Sequence, residues 1–231
     1  MREQPEQQAP PVQRLRIRYA KRGRLRFTSH RDFSRAFERA LVRARLPMAY
    51  SSGFNPHPRI SYAGAAPTGS ASEAEYLEIG LAERLDPAVV HEVLDAALPD
   101  GLDVVRVVES AGGALADLLT ASRWRIDTTA SESDLITAVE GFLGTDSVLV
   151  ERMTKKGMRE LDCRAAVARI EVDGSSLVLL LHHTVPAVRP DDVLTGLRQV
   201  TGLEPGEAPR LTRLAQGRLV GAGTELDDPF G

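Results

Sequence analysis

The strongest constraint on the fold is a change of hydrophobic period near the start of the chain. In "RLRIRYAKR" the apolar Leu15, Ile17 and Tyr19 alternate with Arg14, Arg16 and Arg18. A period of two specifies a strand with one face for the core and one for cations. In "SHRDFSRAFERALVRARLP" the period becomes helical. Phe33, Ala36, Phe37, Ala40, Leu41 and Ala44 recur at spacings of three and four, a stripe that a helix gathers on one side. Ser29 with Asp32 three residues on is a capping box, and Pro47 is expected to stop the helix. A strand followed by an amphipathic helix commits the chain to helices layered on a sheet.

The following segments extend that plan. "LPMAYSS" and "RISYAG" predict short strands around a loop, and "GRLRF", after a turn at Gly23, continues or pairs with the first strand. "EAEYLEIGL" alternates as a strand, "DPAVVHEVLDAAL" is a helix capped by Asp86 with Pro87 first inside it, and "LDVVRVVES" is a strand. The order β-α-β-β-α-β is the ferredoxin-like plan. After the connector "AGGALADLLTA" the plan restarts. "SRWRIDTTA" is a strand, and "SESDLITAVEGFLG" a helix capped by Ser131 or Ser133 and ended by Gly144. "SVLVERMT" and "DCRAAVARIEVDGSSLVLLLHH" supply three strands, the last two joined at Asp173-Gly174. "RPDDVLTGLRQVTG" is a helix with Asp191 or Asp192 near its cap, and "PRLTRLAQGRLV" closes the sheet. The expected class is therefore α+β, two ferredoxin-like halves in tandem. The expected division is a disordered tail at 1–13, a first half with a basic face at 14–110, a connector at 111–122, a second half at 123–220 and a tail at 221–231.

Charge divides along the same line. The 231 residues carry a net charge of −3, yet Arg14 to Arg59 holds thirteen Arg or Lys against two acids, Asp32 and Glu38. Such a block reports an interaction face; the alternative is a solvated rim balanced by acids elsewhere. No apolar run is long enough to span a membrane, and "MREQPEQQAPPVQ" lacks the apolar core of a secretory signal. One cysteine, Cys163, excludes an internal disulfide and a Cys-only metal site within the chain. The expected setting is cytoplasmic.

Several stretches are candidates for chemistry. In "GFNPHPRIS" Pro56 and Pro58 fix the backbone on either side of His57, Gly53 permits a turn, and Asn55 can cap its own backbone. The result is a stiff loop that presents His57 and Arg59 to an anion, or a rigid crossover whose histidine is merely exposed. Arg31, Arg35, Arg39 and Arg43 form a stripe along the first helix. His30 sits at its start, where backbone N–H groups favour an anion, with Arg24, Arg26 and Arg31 close by; a plain solvent-facing helix start is the alternative. In "MTKKGMRELDCR" the basic residues Lys155, Lys156, Arg159 and Arg164 surround a turn at Gly157, fit to grip a polyanion or to be an ordinary surface hairpin. His182 and His183 are neighbours in a strand and point to opposite faces, so they do not share a metal. Trp124 and Tyr76 read as core. There is no phosphate-loop spacing, no HExxH and no GxSxG. No catalytic residue, metal or cofactor is assigned.

The run from "RYAKRGRLRFTSHRDF" through "GFNPHPRIS" to "EAEYLEIGL" resembles a bacterial family of radical-SAM-linked proteins, built on a domain of unknown function. The matching features are Phe27, Ser29, His30, Asp32, Phe37, Glu38, Arg39, the "GFNPHPRIS" block, Gly69, Glu73, Glu75 and Tyr76, with "TKKGMRELDCR" similar to a second block. Together they span most of 14–172. The resemblance implies no established activity. It implies association with a radical-SAM protein and genes of RNA processing nearby. The chain lacks the CxxxCxxC motif of the fused form and so cannot itself hold that cluster. The expectation is a non-catalytic accessory or RNA-binding protein using its basic surface. The rivals are a docking subunit for a radical-SAM enzyme and, third, an enzyme acting on RNA or a nucleotide with His57 as acid or base.

Overall fold

In the computed structural model, the described residues are 7–154, 157–223 and 225–231. The fold is α+β, and the chain divides into two compact units that meet in sequence between Asp117 and Leu118.

The first unit contains β1 (Gln13–Lys21), α1 (His30–Arg43), β2 (Ile60–Ala63), β3 (Ala71–Leu81), α2 (Pro87–Ala97) and β4 (Val104–Glu109). Its sheet runs β4-β1-β3-β2, and every neighbouring pair is antiparallel. Leu15, Ile17 and Tyr19 of β1 and Leu77, Ile79 and Leu81 of β3 face the helices. Phe33, Phe37 and Leu41 of α1 and Val90 and Leu94 of α2 close on them. The Tyr19 and Phe33 rings stack at 4.4 Å. Burying each large side chain of this cluster contributes roughly 1.5–3 kcal/mol.

The helix starts follow the sequence: the Ser29 hydroxyl accepts the Asp32 N–H, and Asp86 accepts the Ala88 N–H. Two expectations change. "GRLRF" is a 3-10 turn, not strand; β1 ends once the Arg22 N–H is bonded to Gly101 O, and the chain folds back with Leu25 N–H to Arg22 O. "LPMAYSS" is not a regular strand but makes isolated bridges, Met48 to Leu81 and Tyr50 to Pro58.

The second unit contains β5 (Ala121–Asp127), α3 (Glu132–Leu143), β6 (Leu149–Thr154), β7 (Gly157–Asp162), the single turn α4 (Cys163–Ala166), β8 (Val167–Asp173), β9 (Ser176–His182), α5 (Pro190–Thr201), β10 (Arg210–Val220) and β11 (Glu225–Asp227). Its sheet runs β10-β5-β9-β8, again antiparallel throughout, with β11 added to β10. β6 and β7 form a separate hairpin. The β8–β9 turn lies at Gly174-Ser175, one residue later than expected, because Asp173 already pairs with Ser176. The N-cap of α5 is Arg189; Asp192 sits inside the first turn and accepts the Arg189 N–H. Trp124 is buried, and its indole N–H donates to Ser122 at 2.8 Å. Among the described residues no helix is long and apolar enough to cross a membrane.

α5 packs closely because Gly196 has no side chain. A methyl there would overlap Cys163 Sγ and lie 3.0 Å from Val148 Cγ1 and 3.2 Å from Phe142 Cε2. Alanine normally gains about 1 kcal/mol over glycine in a helix, but here overpacking outweighs it. Gly196→Ala is expected to lower stability by about 1–3 kcal/mol in urea unfolding. An unchanged or raised midpoint would show that α5 has room the packing denies.

Candidate anion-binding site

The arginines of the first unit fall into two groups. Those of β1 are engaged. Arg16 is 3% exposed; its Nε donates to Glu78 at 3.2 Å, and its NH2 to Gly112 O at 2.5 Å and Gly113 O at 3.0 Å. Arg14 also reaches Glu78, at 3.2 Å. Arg18 donates to Glu73 O at 2.8 Å. Arg22 pairs with Glu73 and, at 2.6 Å, with Asp103. The cationic strand face expected from the alternation is therefore not open as a whole: acids of β3 and of the turn before β4 occupy it. A side chain as deep as Arg16 requires such a partner, since an unpaired buried charge is costly.

The other group is not engaged in this way. Arg24, Arg31, Arg35 and Arg39 are exposed and make no ion pair among the described residues. Arg31, Arg35 and Arg39 stand one turn apart on the side of α1 away from Phe33, Phe37 and Leu41. Arg26 lies over the Phe27 ring at 4.6 Å, and Phe27 is itself exposed. Arg43 is tied to Ala97 O at 2.9 Å. His30, the first residue of α1, is exposed and meets the Tyr62 ring edge-on at 4.9 Å. Burial pushes the pKa of the enclosed Tyr62 hydroxyl up; Ser34 opposes the shift and the Glu38 charge adds to it.

The "GFNPHPRIS" loop is closed by its own backbone. Ser51 N–H donates to His57 O at 2.8 Å, and His57 N–H to Ser51 Oγ at 3.0 Å. Arg59 anchors the exit: its N–H donates to Ala49 O at 2.8 Å and its Nε to Tyr50 O at 3.0 Å. Phe54, Asn55 and His57 are exposed, and Asn55 makes no hydrogen bond among the described residues. Against this loop lies a cleft of about 280 Å³ bordered by Arg14, Ser51, His57, Arg59, Ser61 and Glu78, with Pro11, Pro58, Ile60 and Gly80 completing it.

Of the residues singled out from sequence, His57 and Arg59 border the cleft. Arg24, Arg26, His30, Arg31, Arg35, Arg39 and Asn55 do not. Sequence reasoning missed Arg14, Glu78 and Gly80 as a group, and the exposed Phe27 and Phe54. A glycine inside the alternating strand "EAEYLEIGL" was the readable signal, because such a glycine marks close approach.

In the second unit, Lys155 and Lys156 lie outside the described residues. Arg159 is exposed on β7, opposite Arg152, which pairs with Asp192. Arg164 is in α4, its NH1 3.4 Å from Val167 O. Asp162 does not pair with the Arg164 side chain. Burial opposes its ionisation, but the Ala165, Val148 and Arg164 N–H groups and the Ser147 hydroxyl outweigh that and hold its pKa below the ordinary value. The His183 ring nitrogens are held by Leu119 O at 2.7 Å and Ser122 Oγ at 3.0 Å, and desolvation of the ring lowers its pKa. No cluster of three or more His, Cys, Asp or Glu fit to hold a metal occurs among the described residues.

The match to known families spans most of the chain. Residues 14–190 match the family described as an uncharacterized protein conserved in bacteria (DUF2344). The chain belongs to this family. No curated protein matches the chain. The family match takes in the first-unit site apart from Pro11, and the β6–β7 hairpin, and it ends at the start of α5.

Removing Glu78 tests the pairing on β1. Glu78→Ala leaves Arg16 buried with only two backbone carbonyls, at an expected cost of about 3 kcal/mol. Arg14→Gln, on a side chain 59% exposed, is expected to cost less than about 1 kcal/mol. Thermal unfolding of both variants checks the order; equal losses would show that Glu78 does not compensate Arg16.

Proposed function

We propose that the protein is a non-catalytic RNA-binding protein that grips phosphate backbone with α1 and the 3-10 turn before it. One observation carries this reading: Arg31, Arg35 and Arg39 repeat along an exposed helix face with no ion pair among the described residues, while the nearby Arg14, Arg16 and Arg22 are matched by acids. Like charges four apart destabilise a helix by roughly 0.2–0.5 kcal/mol per pair. A row of phosphates reverses that sign, and counterion release supplies the affinity. The exposed Phe27, with Arg26 over its ring in the 3-10 turn, suits bases that are free to stack, as in single strands.

We read the fold in the same light as two ferredoxin-like halves in tandem. Both units run strand, helix, strand, strand, helix, strand once the β6–β7 hairpin, α4 and the terminal β11 are set aside. Their sheets, β4-β1-β3-β2 and β10-β5-β9-β8, have the same order under that count. The site of action in this reading is the cytoplasm. A radical-SAM partner would use the same helix face without the nucleic-acid salt dependence.

Fluorescence-polarisation titration with labelled single-stranded RNA tests the proposal. With about four phosphate contacts, affinity is expected to fall by some tens of fold between roughly 50 and 200 mM salt. Arg35→Glu with Arg39→Glu is expected to abolish binding with the thermal midpoint unchanged or raised. Binding that ignores salt, or survives the double reversal, overturns the reading.

A further inference from the structure

The cleft beside the "GFNPHPRIS" loop has a specific construction. Arg14 of β1 pairs with Gly80 of β3. On the other side, the Gly80 N–H donates to Arg59 O at 2.9 Å, one residue beyond the Ile60–Ile79 pair of β2 and β3. Arg14, Gly80 and Arg59 therefore stand abreast on three neighbouring chain segments. Directly opposed residues in antiparallel pairing share a face. Accordingly, a Cβ placed on Gly80 would lie 3.3 Å from Arg59 Cβ and 3.0 Å from Pro11 Cβ. Gly80 does not have a positive φ, so its backbone does not call for glycine; the space above it does.

The result is a trough floored by Gly80 with the Pro11 ring lying on it, and with an arginine on each wall. Strands about 4.8 Å apart set the two arginine backbones about 10 Å apart, a span over which two guanidinium groups can converge on one anion. Neither wall is fully used. Arg59 makes no ion pair among the described residues, its one side-chain bond being Nε to Tyr50 O, and Arg14 gives only NH1 to Glu78. Glu78 does not cancel them, because Arg16 and the Ser110 hydroxyl already hold its second oxygen, at 3.2 and 2.8 Å. His57 and Ser61 add donors at the rim. A carboxylate is filled by one guanidinium fork; a tetrahedral group with three terminal oxygens can serve both forks and a third donor. The volume of about 280 Å³ suits one such group with part of what carries it.

We propose that this trough binds a phosphate monoester dianion, the group borne by the end of a nucleic-acid strand or by a free mononucleotide. It is separate from the α1 surface, which contacts phosphates along a backbone.

Calorimetric titration with adenosine 5′-monophosphate and with adenosine tests the trough alone. The monophosphate is expected to bind and adenosine not. Arg14→Gln and Arg59→Gln are each expected to weaken the monophosphate about ten-fold or more, the loss of one charge-assisted hydrogen bond. Arg14→Gln carries the test if Arg59→Gln, which loses the Nε bond to Tyr50 O, does not fold. Short oligoribonucleotides with phosphorylated or hydroxyl ends form the second arm. A preference for phosphorylated ends, lost in Arg14→Gln, identifies strand ends as the source; a response to the mononucleotide alone identifies the free nucleotide. Arg35→Glu with Arg39→Glu should leave monophosphate binding intact, so failure of the α1 surface and failure of the trough are told apart. Equal behaviour of phosphorylated and unphosphorylated probes in both arms, or monophosphate binding indifferent to Arg14→Gln, overturns the proposal.

Discussion

Glu78 lies in the middle of β3 with arginines on β1 competing for its two oxygens. Arg16 approaches one oxygen from a nearly solvent-free position, and Arg14 reaches the other from the surface. This arrangement settles much of the first unit. Arg16 is stable in the sheet only because a carboxylate and two carbonyls meet it, and those carbonyls, of Gly112 and Gly113, hold the chain after β4 against the strands. The Ser110 hydroxyl closes the same carboxylate. With Glu78 consumed in this way, the arginines around it are not equivalent. One is structural, one is half-committed, and those on α1 have no acid to meet. A net positive count over Arg14 to Arg59 therefore overstates the open charge on the sheet and locates it on the helix instead.

Local signals in the sequence predicted the elements well. The period-two run gave β1, the stripe from Phe33 gave α1, and Ser29, Asp86 and Ser131 mark helix starts because each needs only its own next few residues. The loop around His57 was legible for a similar reason, since two prolines and a glycine state their backbone demands locally. Arg14 with Glu78 is different. The two are separated by 64 positions, and nothing near Arg14 indicates which acid it will face. Register decides that, and register is a property of two strands together. The same applies to Gly80, whose meaning depends on Pro11 and Arg59, both brought to it by the fold. "GRLRF" was misplaced because its alternation is that of a strand, whereas the Arg22 bond to Gly101 ends the ladder before the run begins.

The β6–β7 hairpin separates the second unit from the first in composition as well as topology. Its cross-strand partners are like-charged, Glu151 with Glu160 and Arg152 with Arg159. Pairs of this kind are unfavourable when directly opposed. The conflict is relieved on one side only. Arg152 turns toward α5, pairing with Asp192 and donating to Ala187 O at 2.8 Å, so Arg159 faces a neighbour whose charge is already met. Asp192 in turn accepts the Arg189 N–H at the start of α5. Burial pushes the Asp192 pKa up, while the Arg189 N–H and the Arg152 charge oppose it. The hairpin is thus fixed along β6 by the N-terminus of a helix more than thirty positions away, which explains how a two-stranded element outside the main sheet keeps a defined place. Its outer side, with Met153 and Met158 exposed as a cross-strand pair, carries none of that anchoring. The arginines of this region therefore divide by role: Arg152, outside the expected grip, holds the hairpin to α5, while of the two arginines expected to grip, Arg164 sits in the turn that follows the hairpin and Arg159 stays exposed on the strand.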